Sequence, residues 1–181
     1  MIGVLVSGRG TNLQAILDAG LAVAAVASNV AAAPALLRAK AAGVPAAVFP
    51  LEDFPTRDAR DHAMAGWLES RGVTLVVCAG YMHLLTPGFL ARFRAINVHP
   101  SLLPRFPGTH AVEDALAAGV QETGVTVHFV DEGIDTGPVI AQEAVTVLPG
   151  DTAEALRGRI QALEHRLLTE VLHLYIAGGL G

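Results

Sequence analysis

The segment Ile96-Asn97-Val98-His99-Pro100-Ser101-Leu102-Leu103-Pro104 delivers an amide and an imidazole to one place and then halts an extended run. Side chains alternate faces along a strand, so Asn97 and His99 project together while Ile96 and Val98 point the other way. Pro100 has no N–H and keeps the preceding residue extended, which sets the pair at the carboxyl end of a strand. Open α/β sheets hold their ligands there. A carboxamide and a protonated imidazole can both donate to a developing oxyanion. They lack a carboxylate to favour the imidazolium and move protons, and Asp135, in the polar stretch Asp131-Glu132-Gly133-Ile134-Asp135-Thr136-Gly137-Pro138, is the candidate. Asn97, His99 and Asp135 together have the parts for acyl transfer without a covalent intermediate. No Ser or Cys stands in a nucleophile elbow, and Ser101 is a minor candidate by proximity alone. Two other uses compete for the ring. His99 can be an ordinary hydrogen-bonded strand-end histidine, or it can join His110, His128 and Asp135 on a metal, although none of these histidines has the spacing of a helical metal pair.

A second group is suited to an anion. Ser7-Gly8-Arg9-Gly10-Thr11-Asn12 follows an apolar run and opens a helical pattern, so its backbone N–H groups and the positive helix end can hold a phosphate. Leu13 stands where a dinucleotide fingerprint needs its third glycine, no lysine follows as in a triphosphate loop, and the second strand ends in Ser28-Asn29 without the acidic residue that grips a ribose. A phosphate monoester fits better, beside the plain alternative of a tight turn whose Thr or Asn caps the helix. Near the end of the chain Gln161, Glu164 and His165 share one helix face, where a carboxylate suits ribose hydroxyls or an ammonium; the plain reading is a solvated or packed stripe. His62 and His173 read as surface helix residues.

Placing these groups requires an alternation of short apolar runs and longer helical patterns, the signature of a parallel sheet covered on both faces. Strands are expected near residues 2–6, 22–28, 46–49, 73–79 and 95–99, with helices at 12–19, 34–42, 57–71 and 86–93. Beyond His99 the pattern changes: a proline-marked loop, a helix over about 110–118, an antiparallel pair near 124–130 and 139–147, and a long closing helix to about Ala177 with Asp151 as N-cap. The expected fold class is α/β: a doubly wound, mostly parallel sheet with an antiparallel C-terminal portion. With no internal repeat or linker, residues 1–181 are expected to be one domain, about 1–99 carrying the phosphate loop and about 100–181 the catalytic loop.

Composition narrows the classes. At 52% hydrophobic and 16% charged residues the chain is globular, and a formal charge of −5 disfavours a nucleic-acid or anionic-membrane surface while allowing a local phosphate site. Cys78, the single cysteine, lies in an apolar run as a small buried hydrophobe, which rules out an internal disulfide. No apolar stretch is long enough to span a membrane and the N-terminus lacks a signal-peptide pattern, so the expectation is a cytoplasmic protein, monomer or homodimer.

The same residues resemble a known family, the folate-dependent glycinamide ribonucleotide formyltransferases, over nearly the whole chain. Ser7-Gly8-Arg9-Gly10-Thr11-Asn12-Leu13 is similar to the family's substrate phosphate loop, and Ala79-Gly80-Tyr81-Met82-His83-Leu84-Leu85 to its folate-contacting segment. Asn97-Val98-His99-Pro100-Ser101-Leu102-Leu103-Pro104 is similar to its formyl-transfer motif, and Ile134-Asp135-Thr136-Gly137-Pro138 to its aspartate loop. The resemblance implies a formyltransferase-like fold and transfer of a formyl group from 10-formyltetrahydrofolate, a cosubstrate, to the amine of glycinamide ribonucleotide in purine biosynthesis, with no metal. It implies Asn97, His99 and Asp135 as the catalytic trio; Gly10, Thr11, Asn12, Gln161 and Glu164 on the substrate phosphate and ribose; and Arg57, Met82, His83, Leu84, Leu85, Val130, Asp131, Asn97 and Asp135 around the folate, with Arg57 on its glutamate tail. His83 departs from the Arg or Lys usual at its position, and the chain ends at Gly181, earlier than many relatives. Three rivals differ in what they require. A formate-releasing hydrolase is usually preceded by a regulatory domain, a methionyl-tRNA formyltransferase has a further C-terminal domain and basic surface, and a nucleotide-binding regulatory module leaves the strand-end trio unexplained.

Overall fold

The computed structural model describes residues 1–179 and divides into two compact units, Met1–Asn97 and the residues from Val98 on. The chain end at Gly181 lies outside the described residues. In the first unit, β1 (Ile2–Val6), β2 (Val23–Ser28), β3 (Ala46–Val48), β4 (Leu75–Cys78) and β5 (Arg94–His99, whose last two residues open the second unit) are all parallel, in the order β3-β2-β1-β4-β5. The order runs outward both ways from β1 and β4, the doubly wound arrangement. Helices α1 (Thr11–Asp18), α2 (Ala35–Ala41), α3 (Arg57–Glu69) and the single turn α4 (Pro87–Leu90) link the strands. Every residue of β1 and of β4 is buried, as unbroken apolar runs in a sheet covered on both faces must be. Cys78 is among them, and burial pushes its thiol up to about 12, so it behaves as a small hydrophobe.

Two local expectations change in this unit. The helix expected over 86–93 is only α4, because Pro87 starts it and the turns to Arg92 and Phe93 hang on the Phe89 carbonyl alone. The loop after β1 is not capped by Thr11 or Asn12. Gly10 is the N-cap, at φ 71°, without a side-chain cap, and both residues fall in the first turn of α1, where backbone N–H groups lack intrahelical acceptors. Only glycine suits position 10. A Cβ there would lie 2.5 Å from the Ala35 Cβ, and α2 is drawn this close by the Ala35 N–H donating to the Gly8 carbonyl at 3.1 Å. Arg38 fastens the other side, donating to the Arg9 carbonyl at 2.9 Å and to Gln14 at 3.1 Å.

The second unit holds α5 (Ala111–Ala117), the antiparallel pair β6 (Glu122–Phe129) and β7 (Val139–Thr146), and α6 (Ala153–Ile176). The overall class is therefore α/β, a mostly parallel sheet with an antiparallel C-terminal portion. Leu156, Ile160, Leu163, Leu167, Leu168, Val171 and Leu172 recur at three- and four-residue spacing and form the buried stripe of α6, packed on β6, β7 and α5. Thr152, not Asp151, caps this helix, accepting from the Ala155 N–H at 3.1 Å. Asp151 instead accepts from the Leu148 N–H at 2.8 Å and pairs with Arg159, because the tight turn before the helix aims its carboxylate backward.

Thr126 on β6 ties the proline-rich loop to this pair. Its buried hydroxyl donates to the Ser101 carbonyl at 2.7 Å and accepts from the Leu103 N–H at 3.1 Å and from Gln142 at 2.8 Å, while Gln142 also donates to the Leu103 carbonyl at 2.9 Å. The Leu103–Pro104 peptide is cis. Among the described residues no helix is long and apolar enough to cross a membrane.

Gly10→Ala should cost about 2 kcal/mol of stability or more, since the new Cβ meets Ala35 and the residue must hold a left-handed backbone. A urea midpoint within experimental error of the wild type would show that the loop can open without cost.

Candidate active site

Asp135 is the hub of the second unit. Its Oδ2 lies 3.3 Å from His99 Nδ1 and accepts from the Gly108 N–H at 2.8 Å, and its Oδ1 lies 3.6 Å from His128 Nε2. Sequence reasoning pairs Asp135 with His99; the second imidazole was missed, since His128 entered only as a possible metal ligand. The available signal was the place of His128 near the end of an apolar run, just before the polar loop that carries Asp135.

The other ring nitrogens are also occupied. His99 Nε2 is 2.8 Å from the Phe106 carbonyl and His128 Nδ1 is 2.8 Å from the Phe129 carbonyl. Carbonyl and carboxylate oxygens only accept, so each ring faces an acceptor at both nitrogens. His99 is 4% exposed and His128 2%. Burial raises the Asp135 pKa, but the hydrogen bonds from His128 and the Gly108 N–H and the charges of His99 and His128 outweigh it, holding the carboxyl below its ordinary range. Asp135 is thus ionised at neutral pH.

Local chain geometry explains how the groups meet. Phe106 and Asp135 are the two non-glycine residues, among those described, with positive φ, at 53° and 54°. Asp tolerates this conformation; for a bulky aromatic it is strained and must be held by its surroundings. The Phe106 carbonyl is thereby turned onto His99, and Asp135 onto both rings. A register shift between Val127 and His128 bends β6 just before the loop, and the Phe129 N–H donates to the Pro138 carbonyl at 2.9 Å to close it. Asp131 Oδ1 accepts from the Gly133 N–H at 3.0 Å and the Thr136 hydroxyl at 2.7 Å, which packs the loop on itself. At Gly137 a Cβ would sit 1.9 Å from the Phe129 carbonyl oxygen.

Ser101 is not a nucleophile: it is fully buried and its hydroxyl donates to the Arg105 carbonyl at 2.6 Å. The four-residue metal set does not assemble, because His110 sits exposed at the N-cap of α5, and among the described residues no group of three or more His, Cys, Asp or Glu is arranged to hold a metal ion. Asn97 precedes His99 by two residues on β5 and is half-buried, between fully buried Ile96 and nearly buried Val98.

Around the phosphate loop, Asn12 is 9% exposed and its Oδ1 has no hydrogen-bond partner. In the segment after β4, Met82 and Leu84 are exposed at 60% and 39%, His83 is half-buried, and Leu85 is packed in the core at 5%. The side chain of Leu85 therefore belongs to the core, leaving only its backbone for a ligand. Arg57 is exposed at the start of α3, and Val130 and Asp131 are half-buried. On α6 Gln161, Glu164 and His165 are all half-buried, so the face is not simply solvated. Burial pushes Glu164 up to about 7.

The formyl transferase family model matches residues 1–172. The chain is 48% identical over 172 residues to the phosphoribosylglycinamide formyltransferase of Mycobacterium tuberculosis, covering 91% of this chain and 80% of that protein. It is 43% identical to the trifunctional purine biosynthetic protein adenosine-3 of Drosophila pseudoobscura, where 99% of this chain spans 14% of the relative's length. The crystal structure of glycinamide ribonucleotide transformylase 1 from Symbiobacterium toebii superposes with a TM-score of 0.95 at 50% identity, covering 98% of this chain and 87% of that one.

Glu164 links this site to stability. A folded-state pKa raised to about 7 means the native protein binds more protons than the unfolded one between the ordinary carboxylate range and neutrality, so stability falls as pH rises through that window. Glu164→Gln should therefore melt above the wild type at pH 8 and match it near pH 4. Equal melting differences at both pH values would show that the carboxylate is not desolvated.

Proposed function

We propose that this chain, which belongs to the formyl transferase family, takes its formyl group from 10-formyltetrahydrofolate and moves it with Asn97, His99 and Asp135. Formyl transfer to phosphoribosylglycinamide in purine biosynthesis is the activity of this enzyme, and its substrates are small molecules. The donor's identity, the trio, the substrate subsites and a cytoplasmic setting are the proposal. The observation that carries it is an ionised carboxylate shared by two imidazoles, one of which, His99, ends the strand that carries the Asn97 amide.

The substrate's amine attacks the formyl carbon, a C–N bond forms, and the carbonyl electrons move onto oxygen. Asn97 Nδ2 and His99 donate to that oxyanion. The Phe106 carbonyl occupies His99 Nε2 at 2.8 Å, so Nδ1–H is the donor left to serve the reaction. Nδ1 lies 3.3 Å from Asp135 Oδ2, so a reacting oxygen bound beside the carboxylate would share that hydrogen with it while the ring stays in place. Asp135 takes a proton from the attacking amine, directly or through water, and the adduct collapses as the bond to the folate nitrogen breaks and that nitrogen gains a proton. His128 and the Gly108 N–H keep Asp135 ionised and oriented, acting through it without touching substrate.

The subsites follow from local chemistry. Gly10, Thr11 and Asn12 open the helix whose first-turn N–H groups and positive end face the phosphate. Gln161 and Glu164 meet ribose hydroxyls, with Glu164 ionised by what it gains there. Exposed Met82 and Leu84 give an apolar ring system something to cover, with Val130 and Asp131 on the loop side, and Arg57 meets the carboxylate tail. Asp135 also touches the folate end that reacts.

Steady-state assays with both substrates test this. Asp135→Asn and His99→Ala should each lower kcat by about 10²-fold or more, as the loss of a general acid–base group does, and His99→Ala at wild-type turnover would remove the ring from the reaction. Thr11→Val and Asn12→Ala should raise KM for the ribonucleotide alone; equal increases for both substrates would refute the phosphate assignment. Folate consumption without ribonucleotide, releasing formate at the same rate, would make the enzyme a hydrolase.

A further inference from the structure

Two charged residues of α3 occupy positions where apolar ones belong. Residues 60, 61, 64, 65 and 68 form the buried stripe of this helix, and Arg60 and Asp61 fill the first two places with no exposed surface. A buried ion pair is seldom retained for stability, because taking both charges out of water offsets most of their attraction. Arg60 Nε donates to Asp61 Oδ1 at 2.6 Å, and the other oxygen of Asp61 accepts from the Thr86 N–H at 2.8 Å. Arg60 Nη1 lies 3.0 Å from His83 Nδ1. Its Nη2 is buried without a hydrogen-bond partner, and so is the hydroxyl of Tyr81. The guanidinium lies 5.9 Å from the centroid of the Tyr81 ring, which meets the His83 ring edge-on at 6.0 Å. The oxygens of Asp61 are both engaged, the unpartnered groups are the Arg60 Nη2 donor and the Tyr81 hydroxyl, and exposed Arg57 adds a second cation.

Proton counting fixes the role of His83. A guanidinium only donates, so Nδ1 must be the bare nitrogen and the neutral ring carries its hydrogen on Nε2. Burial pushes the ring below its ordinary range, and the charges of Arg60 and Arg57 push it the same way. The Asn29 NH₂ is 3.3 Å from Nε2 and its oxygen is taken by the Ser7 hydroxyl at 2.6 Å, so with a hydrogen on Nε2 the two donors face each other without bonding and Nε2–H is left for an incoming acceptor. A histidine so held is a neutral hydrogen-bond donor with a fixed positive charge behind it.

We propose that Arg60 is a positioning residue for the carboxylate end of the formyl donor: it sets His83 as an Nε2–H donor and supplies, from behind the ring, the positive charge that an Arg or Lys at position 83 would carry. The inference rests on the reading of Met82–Leu85 as the folate segment, and it explains how a histidine can serve there.

The test compares two formyl donors, 10-formyltetrahydrofolate and an analogue whose glutamate is replaced by an uncharged alkyl amide. Arg60→Met, and Arg60→Met with Asp61→Asn so that no buried carboxylate is left unpaired, should raise KM for the natural donor about 10-fold, the loss of one charge-assisted contact. For the amide donor, KM should stay within about twofold, as should kcat and the KM for the ribonucleotide. Adding His83→Ala to either variant should cost much less than His83→Ala alone. Equal KM increases for both donors, or a fall in kcat alone, would overturn the proposal. Nitrogen-15 NMR of the wild-type protein near pH 7.5 tests the tautomer without any variant: Nδ1 should resonate as a bare nitrogen and Nε2 as a protonated one, and the reverse would overturn it. A wild type that transfers from neither donor would sink the formyl-transfer reading itself, whereas transfer from both with tail-independent effects would sink only the role of Arg60.

Discussion

The geometry around the β6–β7 loop, and the reaction proposed for it, depend on one carboxylate held in charged form while partly removed from water. Desolvation pushes Asp135 toward its protonated form, and in the proposed reaction a protonated Asp135 could not accept a proton from an amine. Two imidazoles and a backbone N–H reverse that tendency. The arrangement is economical in its parts: each ring has its second nitrogen on a backbone carbonyl, so neither can swing away without losing a buried hydrogen bond.

Holding three such groups together requires a backbone that ordinary residues resist. Phe106 and Asp135, the residues that contact His99 from two sides, both adopt left-handed conformations. The strain is opposed by the surrounding packing. Thr126 and Gln142 bind the loop after His99 to the β6–β7 pair, and Gly137 admits the Phe129 carbonyl where a side chain would block it. The antiparallel portion of the sheet is in this sense a frame for the reactive loop, and its register shift before His128 turns that ring toward the carboxylate.

The first unit solves a different electrostatic problem. An anion is to be held on a chain whose net charge is −5, so attraction has to be local. At the loop after β1 the proposed source of that attraction is the positive end of α1. Beside His83 the proposed source is a guanidinium buried in the stripe of α3, an expensive placement held by Asp61, which the Thr86 N–H also engages.

Much of this was legible in the residues. Unbroken apolar runs fixed the parallel strands, period-3.6 spacing fixed α6, and the alternation of Asn97 and His99 before Pro100 marked the strand end, because these are local consequences of backbone geometry. Boundaries at Pro87, Gly10 and Asp151 shifted because single hydrogen bonds decide where a helix begins. Arg60 and Asp61 could have been noticed as charges on an apolar stripe, yet their partner at position 83 is not inferable from spacing. Residue types and their order establish which groups can donate, accept or ionise and which elements carry them. Only tertiary structure decided that Asp135 meets two imidazoles, that Phe106 takes one nitrogen of His99, and that Arg60 stands behind His83. Those outcomes turn on distances of a few ångströms between segments far apart in the chain, and no local propensity encodes them.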